Sequence, residues 1–164
     1  MFLNPFKSNI YFDSCAFDGG SPEEQKSSVE SRQIMKQSGN RIQILHSVQK
    51  EIDYPKTPGW VKREAMSSVS TKETTLDTDG IIKLRDIEKI IVGNGILERR
   101  KPDCRHVFET TRYGDYFITT DKGILKHSDI IFQKYHTYIM KPSELLKIIL
   151  EYQNQHYKAL QRTQ

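Results

Sequence analysis

A chain of 164 residues is long enough to bury one substantial core, and its 36% hydrophobic and 28% charged residues predict a soluble protein. No stretch reaches the length of a transmembrane helix, and the N-terminal MFLNPFKSNIYFD is too short and too polar for a signal peptide, so no membrane partner is predicted. Two cysteines, Cys15 and Cys104, form neither a disulfide framework nor a zinc cluster, which favours a reducing, cytoplasmic location. The net charge of +4 is compatible with a polyanionic partner.

The first third of the chain alternates strand and helix signals. One helix is predicted here: Ser21 is a suitable N-cap, Pro22 suits the first turn, and Gly39 is placed to end it. Ile42 and Ile44 share one face of a strand pattern. The predicted elements are, in order, a strand in 9–15, a helix in 21–39, a strand in 41–47 and a short helix in 47–53.

The remainder continues the same alternation after a polar stretch. Gly93 and Gly95 are placed to end one helix, and Pro102 followed by Asp103 is typical of the start of the next, with Asp103 as its N-cap. The predictions here are a polar loop or helical arm outside the core at about 54–80, helices in 79–95 and 102–114, strands in 115–121 and 135–140, and a closing helix in 142–160.

Strands that alternate with helices predict a parallel sheet covered on both faces. We therefore expect one domain over residues 1–164, with the α/β class and the architecture of a three-layer α/β/α sandwich. Its sheet should be mostly parallel and contain four or five strands.

Four carboxylates occupy positions that this fold would bring together. Asp13 and Asp121 end strands, Glu51 lies one helical turn after a strand, and Asp103 starts a helix that runs back towards the same edge. Clustered carboxylates repel one another unless a cation joins them, and their hard oxygens suit Mg²⁺ or Mn²⁺. Such a centre is typical of phosphodiester hydrolysis. The alternative is that the aspartates only cap helices or turns and that Glu51 is a solvated helix residue.

Other polar residues flank this edge. Thr119 and Thr120 can orient Asp121 or a phosphate, although strand propensity also explains them. Cys104 and His106 stand at i and i+2 on a predicted helix and face apart, which argues against a zinc site. The candidate RNA-binding residues, which can contact phosphates or simply form a solvated surface, are Arg99, Arg100, Lys101, Lys122 and Lys126.

Four segments in chain order resemble the PIN-domain nucleases, the family that includes the VapC-type toxins of bacterial toxin–antitoxin pairs. IYFDSC resembles the first strand of that family with its aspartate, and ILHSVQKEI resembles the second strand followed by a helical glutamate. PDCRHVFETTRYGDYFITTDKGIL resembles the aspartate-initiated helix and the strand that ends Thr-x-Asp, and TYIMKPSELLKIIL resembles the closing strand and helix. The chain departs from the family pattern at Cys15, Phe108 and Glu109.

The resemblance implies a metal-dependent endoribonuclease and assigns metal-ligand roles to Asp13, Glu51, Asp103 and Asp121. It implies RNA as the substrate, with a protein antitoxin and a second copy of the chain as candidate partners. A PIN-like module that binds RNA or protein without cleaving it is the alternative. A flavodoxin-like domain is disfavoured because Gly19-Gly20 is not a phosphate-loop fingerprint.

Overall fold

The computed structural model describes residues 2–55, 57–68, 71 and 74–161. Parts of the stretch predicted as a loop or arm therefore lie outside the described residues. The strands are β1 (Ile10–Phe12), β2 (Tyr116–Ile118) and β3 (Tyr138–Met140). The helices are α1 (Cys15–Asp18), α2 (Pro22–Gln37), α3 (His46–Ile52), α4 (Gly59–Met66), α5 (Thr78–Val92), α6 (Leu97–Tyr113), α7 (Lys122–Leu125), α8 (Ser128–Tyr135) and α9 (Pro142–Gln161), with a 3₁₀ turn at Pro5–Lys7.

The described strands form a parallel sheet in the order β1-β2-β3, which confirms the α/β class. In each strand the side chains are almost all buried on both faces, as expected for a parallel sheet covered by helices. The carboxyl ends of the strands therefore lie together at one edge. This edge is where the residues that follow β1 and β2 are placed.

The segment predicted as the second strand pairs with β1 without being a named strand of the sheet. Tyr11 of β1 pairs in parallel with Gln43 through an isolated bridge, made by the amide of Phe12 to the Gln43 carbonyl at 3.0 Å and the amide of Gln43 to the Ile10 carbonyl at 2.9 Å. The next residues are fully buried, and α3 begins at His46. Among the described residues, three paired strands are seen where four or five were predicted.

The predicted capping residues lie at both ends of α2 and at the C-terminal end of α5. The Ser21 hydroxyl accepts from the amide of Glu24 at the start of α2, and Gly39 follows its end with φ of +77°. Gly93 ends α5 with φ of +54°. Within the described ranges, each helix is too short or too polar to cross a lipid bilayer.

The structure also differs from the sequence predictions in the region of α4 and at the start of α6. The stretch predicted as a loop or arm contains α4, whose Val61 and Ala65 are buried, so this part contributes to the core. Helix α6 begins at Leu97 rather than at Pro102, because the proline removes one intrahelical bond without ending the helix. Asp103 is therefore not an N-cap and lies inside α6.

Replacement of Phe117 by alanine should test the importance of β2 to the core. Phe117 is fully buried in the central strand, so the change should lower the free energy of unfolding by about 3–5 kcal/mol in urea denaturation. Ile82→Ala is the control, because Ile82 is 61% exposed and its loss should change stability by no more than about 0.5 kcal/mol. Equal losses in the two variants would show that β2 does not anchor the core.

Candidate metal centre

Asp13 is a buried carboxylate directly after β1. Its side chain is only 4% exposed, and its own amide donates to the carbonyl of Ile118 at 2.9 Å, which extends the pairing of β1 with β2. Its Oδ1 accepts from the amide of Ser14 at 2.8 Å, and its Oδ2 accepts from the hydroxyl of Thr119 at 2.7 Å and from the thiol of Cys15 at 3.2 Å. These donors fix both carboxylate oxygens in position.

Glu51 and His106 meet beside this carboxylate. Oε1 of Glu51 lies 3.0 Å from Nε2 of His106, and Oε2 accepts from the hydroxyl of Ser14 at 2.8 Å. The other ring nitrogen of His106, Nδ1, lies 2.8 Å from the hydroxyl of Ser47. One ligand atom each from Asp13, Glu51 and His106 can be chosen so that all three lie within 4.8 Å of one another.

Each group in this cluster titrates away from its ordinary range. Burial raises the pKa of the Asp13 carboxyl, while the charge of His106 and hydrogen bonds from Thr119 and Cys15 oppose the rise. The hydrogen bond from His106 lowers the pKa of Glu51 against the effect of burial. Burial alone would lower the pKa of His106, but the hydrogen bond to Glu51 and the surrounding carboxylates outweigh it and the pKa is raised. The two carboxylates thus favour the protonated, positively charged form of the imidazole.

The same environment keeps the neighbouring thiol protonated. Burial raises the pKa of Cys15 to about 11, and the negative charge of Asp13 acts in the same direction. The Cys15 thiol therefore serves Asp13 as a hydrogen-bond donor rather than as a nucleophile.

His106 was not among the predicted site residues, although the sequence contains the signal for it. The comparison with Cys104, two positions earlier, placed the pair on different helix faces. Asp103 and His106 stand three positions apart in α6 and so lie on neighbouring positions of one helix face. The i, i+3 spacing from Asp103, itself a predicted ligand, was the sequence signal that His106 lies near the site.

Asp103 and Asp121 lie close together, and the positive charge between them is the side chain of Arg100. Nη1 of Arg100 lies 2.8 Å from Oδ2 of Asp103 and 3.3 Å from Oδ2 of Asp121. Asp121 also caps α7, where its Oδ1 accepts from the amides of Gly123 and Ile124. The four predicted ligands therefore divide into two groups, and the capping role and the charge-pairing role of Asp121 coexist.

Thr119 connects the two groups, whereas Thr120 is turned elsewhere. The Thr119 hydroxyl donates to Asp13 and accepts from the amide of Asp121 at 3.1 Å. The Thr120 hydroxyl donates to the carbonyl of Cys15 at 3.1 Å, which joins α1 to the end of β2. Thr119 thus orients the site, while Thr120 supports the loop beside it.

A cleft of about 1140 Å³ opens onto the Glu51–His106 pair. Its wall includes Ser14, Ser47 and Lys101, of which Lys101 is one of the predicted RNA-binding residues. Arg100 is only partly exposed, because it is held by the two aspartates. The predicted RNA-binding residues that are exposed are Arg99, Lys101, Lys122 and Lys126.

The donor set of the first group fits a divalent cation. Two carboxylates and an imidazole can coordinate once the ring nitrogen facing them is deprotonated, and the Ser47 hydroxyl can accept a hydrogen bond from Nδ1–H of His106 in that tautomer. A nitrogen donor beside carboxylate oxygens suits Mn²⁺ better than Mg²⁺, which favours an all-oxygen shell.

No protein-family model matches the chain, and no curated protein matches it.

A matched pair of substitutions at Thr119 should measure how far its hydroxyl supports the site. Thr119→Val keeps the shape but removes one of the donors to the buried Asp13 carboxylate and leaves the Asp121 amide without its Thr119 acceptor, so the free energy of unfolding in EDTA should fall by about 1.5–3 kcal/mol. Thr119→Ser keeps the hydroxyl and loses one methyl group, which costs about 0.8 kcal/mol. If the valine variant is as stable as the serine variant in urea denaturation, the hydroxyl does not carry this role.

Proposed function

We propose that the protein is a metal-dependent endoribonuclease with a PIN-like fold. The observation that carries the proposal is the grouping of Asp13, Glu51 and His106, whose ligand atoms lie within 4.8 Å of one another at the carboxyl end of β1. Enzymes of α/β architecture bind their ligands at this edge of the sheet. The cleft of about 1140 Å³ beside Glu51 and His106 gives a polymeric substrate access to it.

The residues around the group hold it in position before any ligand arrives. Ser14 donates to Asp13 through its amide and to Glu51 through its hydroxyl, so it sets the spacing of the two carboxylates. Ser47 orients the His106 ring. A bound Mn²⁺ or Mg²⁺ would lower the pKa of a water molecule and neutralise charge on a phosphodiester. The contribution of the protein is to fix the ligands and to limit their motion.

The cleft favours RNA only when a cation offsets its negative charge. Lys50, Lys101 and Arg105 line it, but they are outnumbered by carboxylates that include Glu51 and Glu109. A polyanion would be repelled by these walls without an added cation, which ties RNA binding to metal binding. Tyr54 is 60% exposed at the cleft and can stack against an unpaired base. Single-stranded or looped RNA is therefore the expected substrate.

The PIN-like assignment rests on the ordered resemblance together with the position of the acids. An aspartate follows β1, a glutamate stands in the helix after the bridged segment at Gln43, and an aspartate follows β2. The bridge lies on the free side of β1, so it stands where a fourth strand of the proposed sandwich would pair.

A second candidate function is a PIN-like module that binds RNA without cleaving it. The observation that favours this candidate is Arg100, which neutralises two of the four carboxylates that the resemblance assigns to metal. A centre reduced to Asp13, Glu51 and His106 can still bind one ion. The two candidates differ in whether RNA is hydrolysed once metal and RNA are both bound.

Added Mn²⁺ should raise the melting temperature of the full chain, because an ion that binds only the folded state stabilises it. At about 100 times its dissociation constant, one ion adds roughly 2.7 kcal/mol. Glu51→Gln removes a ligand charge and should abolish the increase. The control is Asp53→Asn, which removes an exposed carboxylate two residues away and should leave the increase intact. An undiminished response in the Glu51→Gln variant would remove this centre from the proposal.

Cleavage of a single-stranded RNA should require Mn²⁺ or Mg²⁺ and should depend on the same residue. Glu51→Gln should lower the single-turnover rate by at least on the order of 100-fold, whereas Asp53→Asn should retain the parental rate. Gel analysis of end-labelled RNA with and without EDTA measures both. Metal-dependent RNA binding without cleavage in the parent would favour the non-catalytic module instead.

A further inference from the structure

The guanidinium of Arg100 occupies the space between two carboxylates that face each other across α6 and the end of β2. Nη1 contacts Oδ2 of Asp103 at 2.8 Å and both oxygens of Asp121 at 3.3 and 3.4 Å. Arg100 and Asp103 are three residues apart in α6, so the helix itself presents the cation to this carboxylate. The pair is only partly exposed, at 20% for Asp103 and 34% for Asp121, which strengthens the attraction over that of a surface ion pair.

The backbone of α7 makes room for this guanidinium. A Cβ atom on Gly123 would lie 2.3 Å from Nη2, 2.5 Å from Nη1 and 2.6 Å from Cζ of Arg100. Any larger residue at this position would therefore displace the guanidinium from its place against α7. Gly123 is helical and has no positive φ, so the requirement for glycine here comes from the close approach and not from the backbone conformation.

We infer that the Arg100 guanidinium is a resident cation that fills the position of a second metal ion, so that the chain binds one divalent ion and not two. The inference rests on the proposed metal centre for the first ion, at Asp13, Glu51 and His106. At the second position, the side chain supplies a fixed positive charge beside the end of β2. Its 38% exposed surface remains open to a phosphate oxygen of the substrate.

Two unrelated perturbations should release the second position. Arg100→Ala removes the cation, whereas Gly123→Ala keeps the arginine but forces its guanidinium to move away from α7. Both should allow Asp103 and Asp121 to bind an additional ion. Arg100→Lys retains a positive charge at the same position of α6 and should keep the parental number.

The number of ions bound per full-length chain can be counted by isothermal titration with Mn²⁺ and by elemental analysis after gel filtration. We expect one ion for the parent and two for both Arg100→Ala and Gly123→Ala. The second ion should disappear when Asp121→Asn is added to Arg100→Ala. The controls are Arg99→Ala, an exposed neighbouring arginine, and Gly59→Ala, where a Cβ meets only an ordinary contact at 3.6 Å. Both controls should bind one ion.

The outcomes separate this inference from the proposed function. Two ions in the parent, or an unchanged number in both Arg100→Ala and Gly123→Ala, would overturn the inference and leave the first centre untouched. A parent that binds no ion would overturn the proposed centre. In that case, one ion gained in Arg100→Ala and lost with Asp121→Asn would still support the resident cation, and none gained would overturn it.

Discussion

Burial of the Asp13 carboxylate is the constraint that the surrounding structure satisfies. An ionised carboxylate withdrawn from water costs several kcal/mol unless donors and opposite charge replace its hydration. The amide of Ser14, the hydroxyl of Thr119, the thiol of Cys15 and the charge of His106 together supply this replacement. They come from Ser14 and the start of α1, from the end of β2 and from the middle of α6, so the burial of one side chain fixes these parts of the chain relative to one another.

Helix α6 connects the two charged groups of the site. Its His106 faces the buried carboxylate, while Arg100 and Asp103, at earlier positions of the same helix, face the end of β2. Thr119 joins the two groups from the sheet side, because its hydroxyl serves the buried carboxylate and the amide of Asp121 at once. A shift of α6 would therefore change both groups together, and their charges cannot be considered as independent.

The sequence predicted those features that depend on local chemistry. Capping residues located both ends of α2 and the C-terminal end of α5, and apolar runs ending in Asp13 and Asp121 located two strands and the edge where they finish. Features decided by packing were missed. An isolated bridge at Gln43 stands where a strand was predicted, and Val61 of α4 is buried although its neighbours in the sequence are polar.

The candidate site, too, was predicted from the sequence only in part. Four acids at one edge followed from topology, but which of them share a cation depends on where long side chains reach. Helix spacing relates His106 to Asp103, but neither its contact with Glu51 nor the position of Arg100 between two aspartates could be read from strand and helix patterns. Secondary-structure patterns predict where the backbone runs, whereas these contacts are made by side-chain atoms several bonds away from Cα.

The isolated bridge between Tyr11 and Gln43 has a consequence for how Glu51 is held beside the other two residues of the metal centre. Two backbone hydrogen bonds join the segment before α3 to β1, whereas β1 and β2 are joined along their full length. Local opening is easiest where few such bonds must break, and α3 carries Glu51 and Ser47. Opening of this segment would separate Glu51 from Asp13 and His106, which lie on other parts of the chain. The apparent affinity for an ion is then the intrinsic affinity multiplied by the closed fraction, so ligand binding and closure of this segment are thermodynamically linked.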